Sequence, residues 1–155
     1  MKPDLKKLIL SLAIPLTVGG VAALLSGGMD TYGQLRQPPL APPGWVFPVV
    51  WTVLYLLMGY SAYRVLTSDA EQPEKRRALI FYGVQLAVNF LWPLIFFGLG
   101  RYTLAFPVLA VLWLLVLLTM QAFYEADTVA GNLLIPYFLW VTFAGYLNAG
   151  VALLN

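Results

Sequence analysis

The sequence contains no cysteine and no histidine. Without cysteine there is no disulfide, thiolate metal ligand or thiol nucleophile. Without histidine, the commonest general base and the commonest zinc and haem ligand are missing as well. No hydrolytic triad can be assembled from what remains, and no metal-ligand cluster is visible. Charge is also scarce: 10% of the residues are Asp, Glu, Lys or Arg, while 61% are hydrophobic. A soluble domain needs about a quarter of its residues charged to cover its surface. With a mean hydropathy of +0.79, this chain is solvated by lipid. Its 155 residues suit one domain, residues 1–155. The net charge of +2 and the lack of an extended basic tract argue against a nucleic-acid partner.

What is abundant is apolar sequence, punctuated by charges. Five charge-free runs result, at 8–29, 37–63, 78–100, 102–124 and 128–155. Each is long enough for a membrane helix, which needs about 20 residues. Backbone polar groups must satisfy one another in hydrocarbon, so the runs are helices. The fold class expected is all-α, a five-helix integral membrane bundle, with helices at 8–27, 45–65, 78–98, 103–124 and 129–153. Lys2, Lys6 and Lys7 before the first run resemble a signal peptide, but a cleaved apolar region is usually about 7–15 residues, and no clear A-x-A site follows. The run is read as a span. Pro38, Pro39, Pro42 and Pro43 make the start of the second run an extended loop. Residues 67–77 read as a longer polar loop. Short turns at 98–101 and 125–127 make the last three helices antiparallel neighbours.

Seven of the nine Lys and Arg residues fall on the side of the N-terminus and the 67–77 loop, leaving only Arg36 and Arg101 opposite. The positive-inside rule then puts the N-terminus in the cytoplasm and the Pro-rich loop outside. No Asp, Glu, Lys or Arg lies in the interior of a span, which argues against proton pumps and ion-coupled carriers. What remains within the spans is aromatic and weakly polar. Trp51 and Tyr55 are one turn apart on one face; Gln85, Asn89 and Trp92 share a face; Tyr137, Trp140, Ala144 and Asn148 form a third stripe. The amides either glue helices together or meet a ligand, and both readings stay open. Trp45, Tyr102 and Tyr124, near helix ends, fit an interfacial aromatic belt. Pro15, Pro93 and Pro136 within spans kink helices, with or without a cavity to open. Gly19-x3-Ala23, Gly83-x3-Ala87 and Gly145-x3-Ala149 fit close helix contacts and point weakly to dimerisation.

Residues 42–63 (PPGWVFPVVWTVLYLLMGYSAY), 85–98 (QLAVNFLWPLIFFG) and 136–148 (PYFLWVTFAGYLN) together resemble the signature of the TspO/MBR family, the tryptophan-rich sensory and translocator proteins. The likeness covers nearly the whole chain in order. It implies a five-helix bundle, commonly a homodimer, with a cavity under the first external loop. The implied ligands are porphyrins, haem, cholesterol-like lipids and isoquinoline carboxamides, with no cofactor required. By motif match the ligand-binding residues are Phe47, Trp51, Tyr55, Asn89, Trp92, Trp140 and Ala144, and Arg36 is a candidate for porphyrin propionates. With neither His nor Cys, haem or porphyrin is held by enclosure and stacking rather than metal ligation.

Two departures from the family pattern stand out. Leu40 occupies the place where the family often has a Trp implicated in light-dependent porphyrin breakdown. The basic residue of a C-terminal cholesterol motif is also missing after Asn148, with a loose match instead at Leu57, Tyr60 and Arg64. The reading is a multi-pass receptor or sensor of tetrapyrroles in a bacterial-type cell membrane, contacting membrane lipid. The alternatives are a porphyrin or lipid transporter and a porphyrin-degrading enzyme, and Leu40 leans the reading away from an enzyme.

Overall fold

The computed structural model describes residues 4–27 and 32–155; Lys2, counted above for orientation, and the last two residues of the first charge-free run lie outside them. Among the described residues are five helices long and apolar enough to cross a membrane, at Leu5–Leu25, Val46–Leu66, Gln72–Gly98, Tyr102–Ala126 and Thr128–Leu154. A 21-residue helix such as the first is roughly 30 Å long, the thickness of the hydrocarbon core.

Helix α1 (Leu5–Leu25) starts where the Asp4 carboxylate accepts a hydrogen bond from the backbone N–H of Lys7, at 3.2 Å. It buries little of itself, with Leu5, Ile9, Ile14 and Leu24 pointing outward, as lipid-facing residues do. Its contact with α2 (Val46–Leu66) is close because Gly59 lacks a side chain: a Cβ there would stand 2.5 Å from the Ser11 carbonyl oxygen.

Helix α3 (Gln72–Pro93) begins about six residues before the expected position. The polar 67–77 segment is thus only half loop. Pro73 in the first turn and Glu74 beside it are helix-start signals that counting charges alone passed over. After Pro93 the helix widens into a single π-turn, Leu94–Gly98, closed by the Leu99 N–H donating to the Leu94 carbonyl at 2.9 Å. Gly100, at φ +65°, then reverses the chain into α4 (Tyr102–Ala126).

The fifth span is two helices, α5 (Thr128–Leu133) and α6 (Ile135–Leu154), which meet at Leu134. Pro136 therefore sits in the first turn of α6, where its missing N–H costs nothing, rather than inside a continuous helix. Helices α3, α4 and α6 are neighbours as the short turns require; α2 touches α5, and α1 closes the ring against α2 and α3.

Most charged side chains gather at one end of the bundle, opposite Arg36 and Arg101. Arg64, in the last turn of α2, donates through two nitrogens to the Asp127 carboxylate, each at 3.2 Å. Asp127 also accepts from the Ala130 N–H at 2.9 Å, capping α5. Burial pushes the Asp127 carboxyl up, but the Ala130 N–H and Arg64 outweigh it and hold it below the usual carboxylate value.

Candidate functional site

Helices α1, α2 and α3 enclose a cavity of about 270 Å³ in the half of the bundle nearest the Pro-rich loop. Its aromatic wall comes from α2, where the one-turn spacing of Trp51 and Tyr55 stacks their rings at 5.5 Å and 27°. Phe47 lies one turn earlier, and Asn89, Trp92, Pro93 and Phe97 line the wall from α3 and its π-turn. The opposite wall, from α1, consists mainly of small residues: Gly19, Gly20, Ala22, Ala23 and Ser26. Gly19 is required there, because a Cβ would run into the Tyr55 ring. Gly20, Ala23, Pro48 and Thr52 line the cavity and are exposed on the outside of the bundle, so the cavity opens sideways between α1 and α2.

The polar floor is a buried chain of hydrogen bonds. Tyr55 Oη donates to Asn89 Oδ1 at 2.7 Å, Asn89 Nδ2 donates to Tyr137 Oη at 2.8 Å, and Tyr137 Oη donates to Gln85 Oε1 at 2.7 Å. A second chain runs from Trp92 Nε1 to Asn148 Oδ1 at 2.9 Å, and from Asn148 Nδ2 to the Tyr102 carbonyl at 2.9 Å. The amides thus join α2, α3, α4 and α6. Gln85 lies behind the cavity and acts as glue; Asn89 does this while also lining the cavity.

Of the seven residues expected to bind ligand, Phe47, Trp51, Tyr55, Asn89 and Trp92 come together on this cavity. Trp140 stands one layer behind, edge-on to Phe47 at 5.8 Å and to Trp51 at 6.5 Å. Its indole N–H is buried without a partner among the described residues. Ala144 lines a separate void of about 20 Å³ beneath the loop. Phe47, Trp92 and Phe97 border both spaces and form the partition between them.

The loop that roofs the smaller void is fastened from several sides. Tyr32 Oη donates to the Pro42 carbonyl at 2.9 Å, Gln37 Nε2 to the Tyr32 carbonyl at 2.7 Å, and Tyr146 Oη to the Pro39 carbonyl at 2.6 Å. The Tyr32 ring meets Phe47 edge-on at 4.8 Å, and burial raises the pKa of its hydroxyl. Arg36 is held by its backbone, donating to Asn155 Oδ1 at 3.1 Å and accepting from Asn155 Nδ2 at 2.8 Å. Its side chain is exposed and lines neither cavity. Leu40 is 85% exposed and takes a left-handed φ of +71°.

Motif reading missed the contribution of α1 and of Phe97. The signal for α1 was Gly19-x3-Ala23, read as a helix contact; it makes room for Tyr55 and for the cavity. At Gly83 and Gly145 a Cβ would meet no neighbouring atom within 4 Å, so neither glycine makes a close helix contact within the bundle, and Gly83 and Ala87 are exposed.

The chain is similar to known proteins over nearly its whole length. The model of the TspO/MBR family matches residues 11–154. Over 137 residues the chain is 44% identical to protein CrtK of Rhodobacter capsulatus, covering 88% of this chain and 85% of that one. It is 46% identical over 126 residues to a tryptophan-rich sensory protein of Cereibacter sphaeroides, covering 81% and 77%. With the translocator protein of Bos taurus it shares 34% identity over 127 residues, covering 78% and 72%.

Proposed function

Because the chain belongs to the TspO/MBR family, whose members include membrane sensors and translocators, we propose that it is a receptor for porphyrins and related flat hydrophobic ligands, held in the α1–α2–α3 cavity. The observation that carries this reading is the stacked Trp51–Tyr55 wall facing small residues of α1, with Asn89 at its polar edge. Such a slot suits a planar, apolar ligand with a few polar atoms. At about 270 Å³ the space falls just below the range of small-molecule sites, which start at about 300 Å³. A macrocycle therefore needs the partition of Phe47, Trp92 and Phe97 to give way and join the void beneath Ala144, or needs the side opening toward lipid. Merging the two spaces brings Trp140 and its indole N–H toward the ligand. Arg36 reaches propionates only if the loop re-seats.

The sideways opening between α1 and α2 is one specific observation that favours a second reading, a carrier that exchanges ligand with the bilayer. Flux of porphyrin across sealed liposomes distinguishes it from a receptor. For either reading the excess of Lys and Arg on one side supports an N-terminus in the cytoplasm, in a bacterial-type cell membrane, and the outward Gly83–Ala87 face is available to a homodimer. Single cysteines at Lys75 and Gln37, probed with an impermeant reagent in intact cells, should label only at Gln37.

The binding test is titration of the purified protein with protoporphyrin while following tryptophan fluorescence. Saturable quenching that weakens several-fold in Trp51→Ala and in Trp140→Ala supports the reading, since a stacked aromatic contributes about 0.5–1.5 kcal/mol beyond burial. Unchanged affinity in both folded variants overturns it.

A further inference from the structure

A large recess lies away from the aromatic cavity, at the end of the bundle where α1 begins. It is an open groove of about 1030 Å³ between the start of α1 and the start of α3. Lys7 lines it from α1, and Lys75, Arg76 and Arg77 line it from α3; no acidic side chain among the described residues does. Below the cations the lining turns apolar, through Leu79 and Ile80, and Ile80 is 57% exposed on the outer face of α3. The charged half of the groove thus sits where a spanning helix leaves the hydrocarbon, and the apolar half continues down the lipid-facing surface.

Two of the cations are already engaged. Lys75 Nζ donates to the Leu66 carbonyl at 3.2 Å, which closes off the end of α2. Arg77 stands 3.9 Å from Glu125 and lies over the Phe81 ring, 5.7 Å from its centre. Arg76 has no carboxylate within salt-bridge distance among the described residues, and Lys7 has only a long, exposed pairing with Asp4 at 3.9 Å. The two least committed charges therefore face the groove from opposite walls.

From this arrangement we propose that the groove is a binding site for an anionic phospholipid, whose phosphate is held between Lys7 and Arg76 and whose acyl chain runs along Leu79 and Ile80. Basic recesses between membrane helices recognise anionic headgroups through this combination of point charges at the interface and apolar surface beneath. The groove shares no lining residue with the aromatic cavity, so its occupant is independent of the ligand held there. Nor is it a general excess of basic residues on one side, because two particular side chains among several hold the headgroup.

The test is native mass spectrometry of the purified protein titrated with phosphatidylglycerol or with phosphatidylcholine of the same acyl chains. The wild type should retain phosphatidylglycerol at concentrations where phosphatidylcholine is lost. Removing both of these cations in Lys7→Gln/Arg76→Gln should weaken that retention by about tenfold or more, since each cation near an anionic surface contributes about a fivefold factor. Lys6→Gln/Arg101→Gln removes the same net charge from positions outside the groove and should leave retention within about threefold of wild type. Equal retention of the two lipids, or equal weakening in the two double variants, overturns the proposal. So does full displacement of phosphatidylglycerol by inorganic phosphate, with sodium chloride of equal ionic strength as control, because the site would then recognise phosphate without the chain. Circular dichroism of each variant establishes that the helices are intact.

Discussion

Replacing Asn89 by leucine, which is close in size and cannot hydrogen-bond, interrupts the buried chain at its centre. Asn89 accepts from Tyr55 at 2.7 Å and donates to Tyr137 at 2.8 Å. Tyr137 keeps its bond to Gln85, but the Tyr55 hydroxyl loses its acceptor while its residue remains 8% exposed. A buried donor left without a partner costs about 1–3 kcal/mol. Polar pairs within membrane bundles average lower, at about 0.6 kcal/mol, because the unfolded helices also find partners. The expected loss for Asn89→Leu is therefore about 1–2 kcal/mol.

A companion change isolates the cause. If the cost comes from the stranded Tyr55 hydroxyl, removing that hydroxyl relieves it. Tyr55→Phe/Asn89→Leu should be no less stable than Asn89→Leu, giving a coupling energy of about 1 kcal/mol. The assay is reversible unfolding in mixed micelles by titration with denaturing detergent, followed by circular dichroism. Strict additivity, with coupling under about 0.3 kcal/mol, would refute the assignment of the chain as a connected unit. Tyr137→Phe, which removes one donor and one acceptor from a residue 1% exposed, should destabilise more than Tyr55→Phe.

Three further outcomes follow from particular positions. Gly19→Val should drive a methyl group into the Tyr55 ring and reduce porphyrin quenching by about tenfold or more, whereas Gly20→Ala, with no atom within 4 Å of the added Cβ, should stay within about threefold. Leu40→Gly should raise stability by about 1 kcal/mol by relieving the left-handed backbone, while Leu40→Trp should speed light-driven loss of porphyrin absorbance and change affinity by less than about tenfold, or about 1.4 kcal/mol. Because the Asp127 carboxyl is held below its ordinary value, its contribution is complete above the unfolded value, about pH 4, and is lost as pH falls through the lower folded value. The midpoint of thermal unfolding should drop with acidification over that window in the wild type and drop less in Asp127→Asn.

The membrane class and the number of spans were legible in the sequence because five charge-free runs leave no other way to satisfy the backbone. Helix ends were less so. Charges marked where hydrocarbon stops, yet α3 continues into water through Pro73 and Glu74, and the last span breaks at Leu134 ahead of Pro136. Spacing brought Trp51, Tyr55, Asn89 and Trp92 correctly onto shared faces, and the structure sets those faces on one cavity. It could not say which stripe meets which, since that depends on the order of helices around the bundle. Trp140 and Ala144 belong to the α6 stripe, and a partition of aromatic rings separates that stripe from the main cavity. The wall from α1 left only a faint trace, because glycine and alanine shape a cavity by what they omit.

The direction of the buried hydrogen bonds has a consequence for what the cavity can recognise. Each hydroxyl and amide in the chain passes its proton inward, from Tyr55 to Asn89, from Asn89 to Tyr137 and from Tyr137 to Gln85. The Tyr55 proton is thereby committed to the protein, and at that point the slot offers a guest lone pairs rather than a donor. A ligand presenting an N–H or O–H there is matched, and one presenting a carbonyl meets repulsion. Turning Tyr55 into a donor requires both amides to rotate and Tyr137 to reverse its hydroxyl together, so polarity at the cavity surface is coupled to Gln85, a side chain that lies behind the cavity.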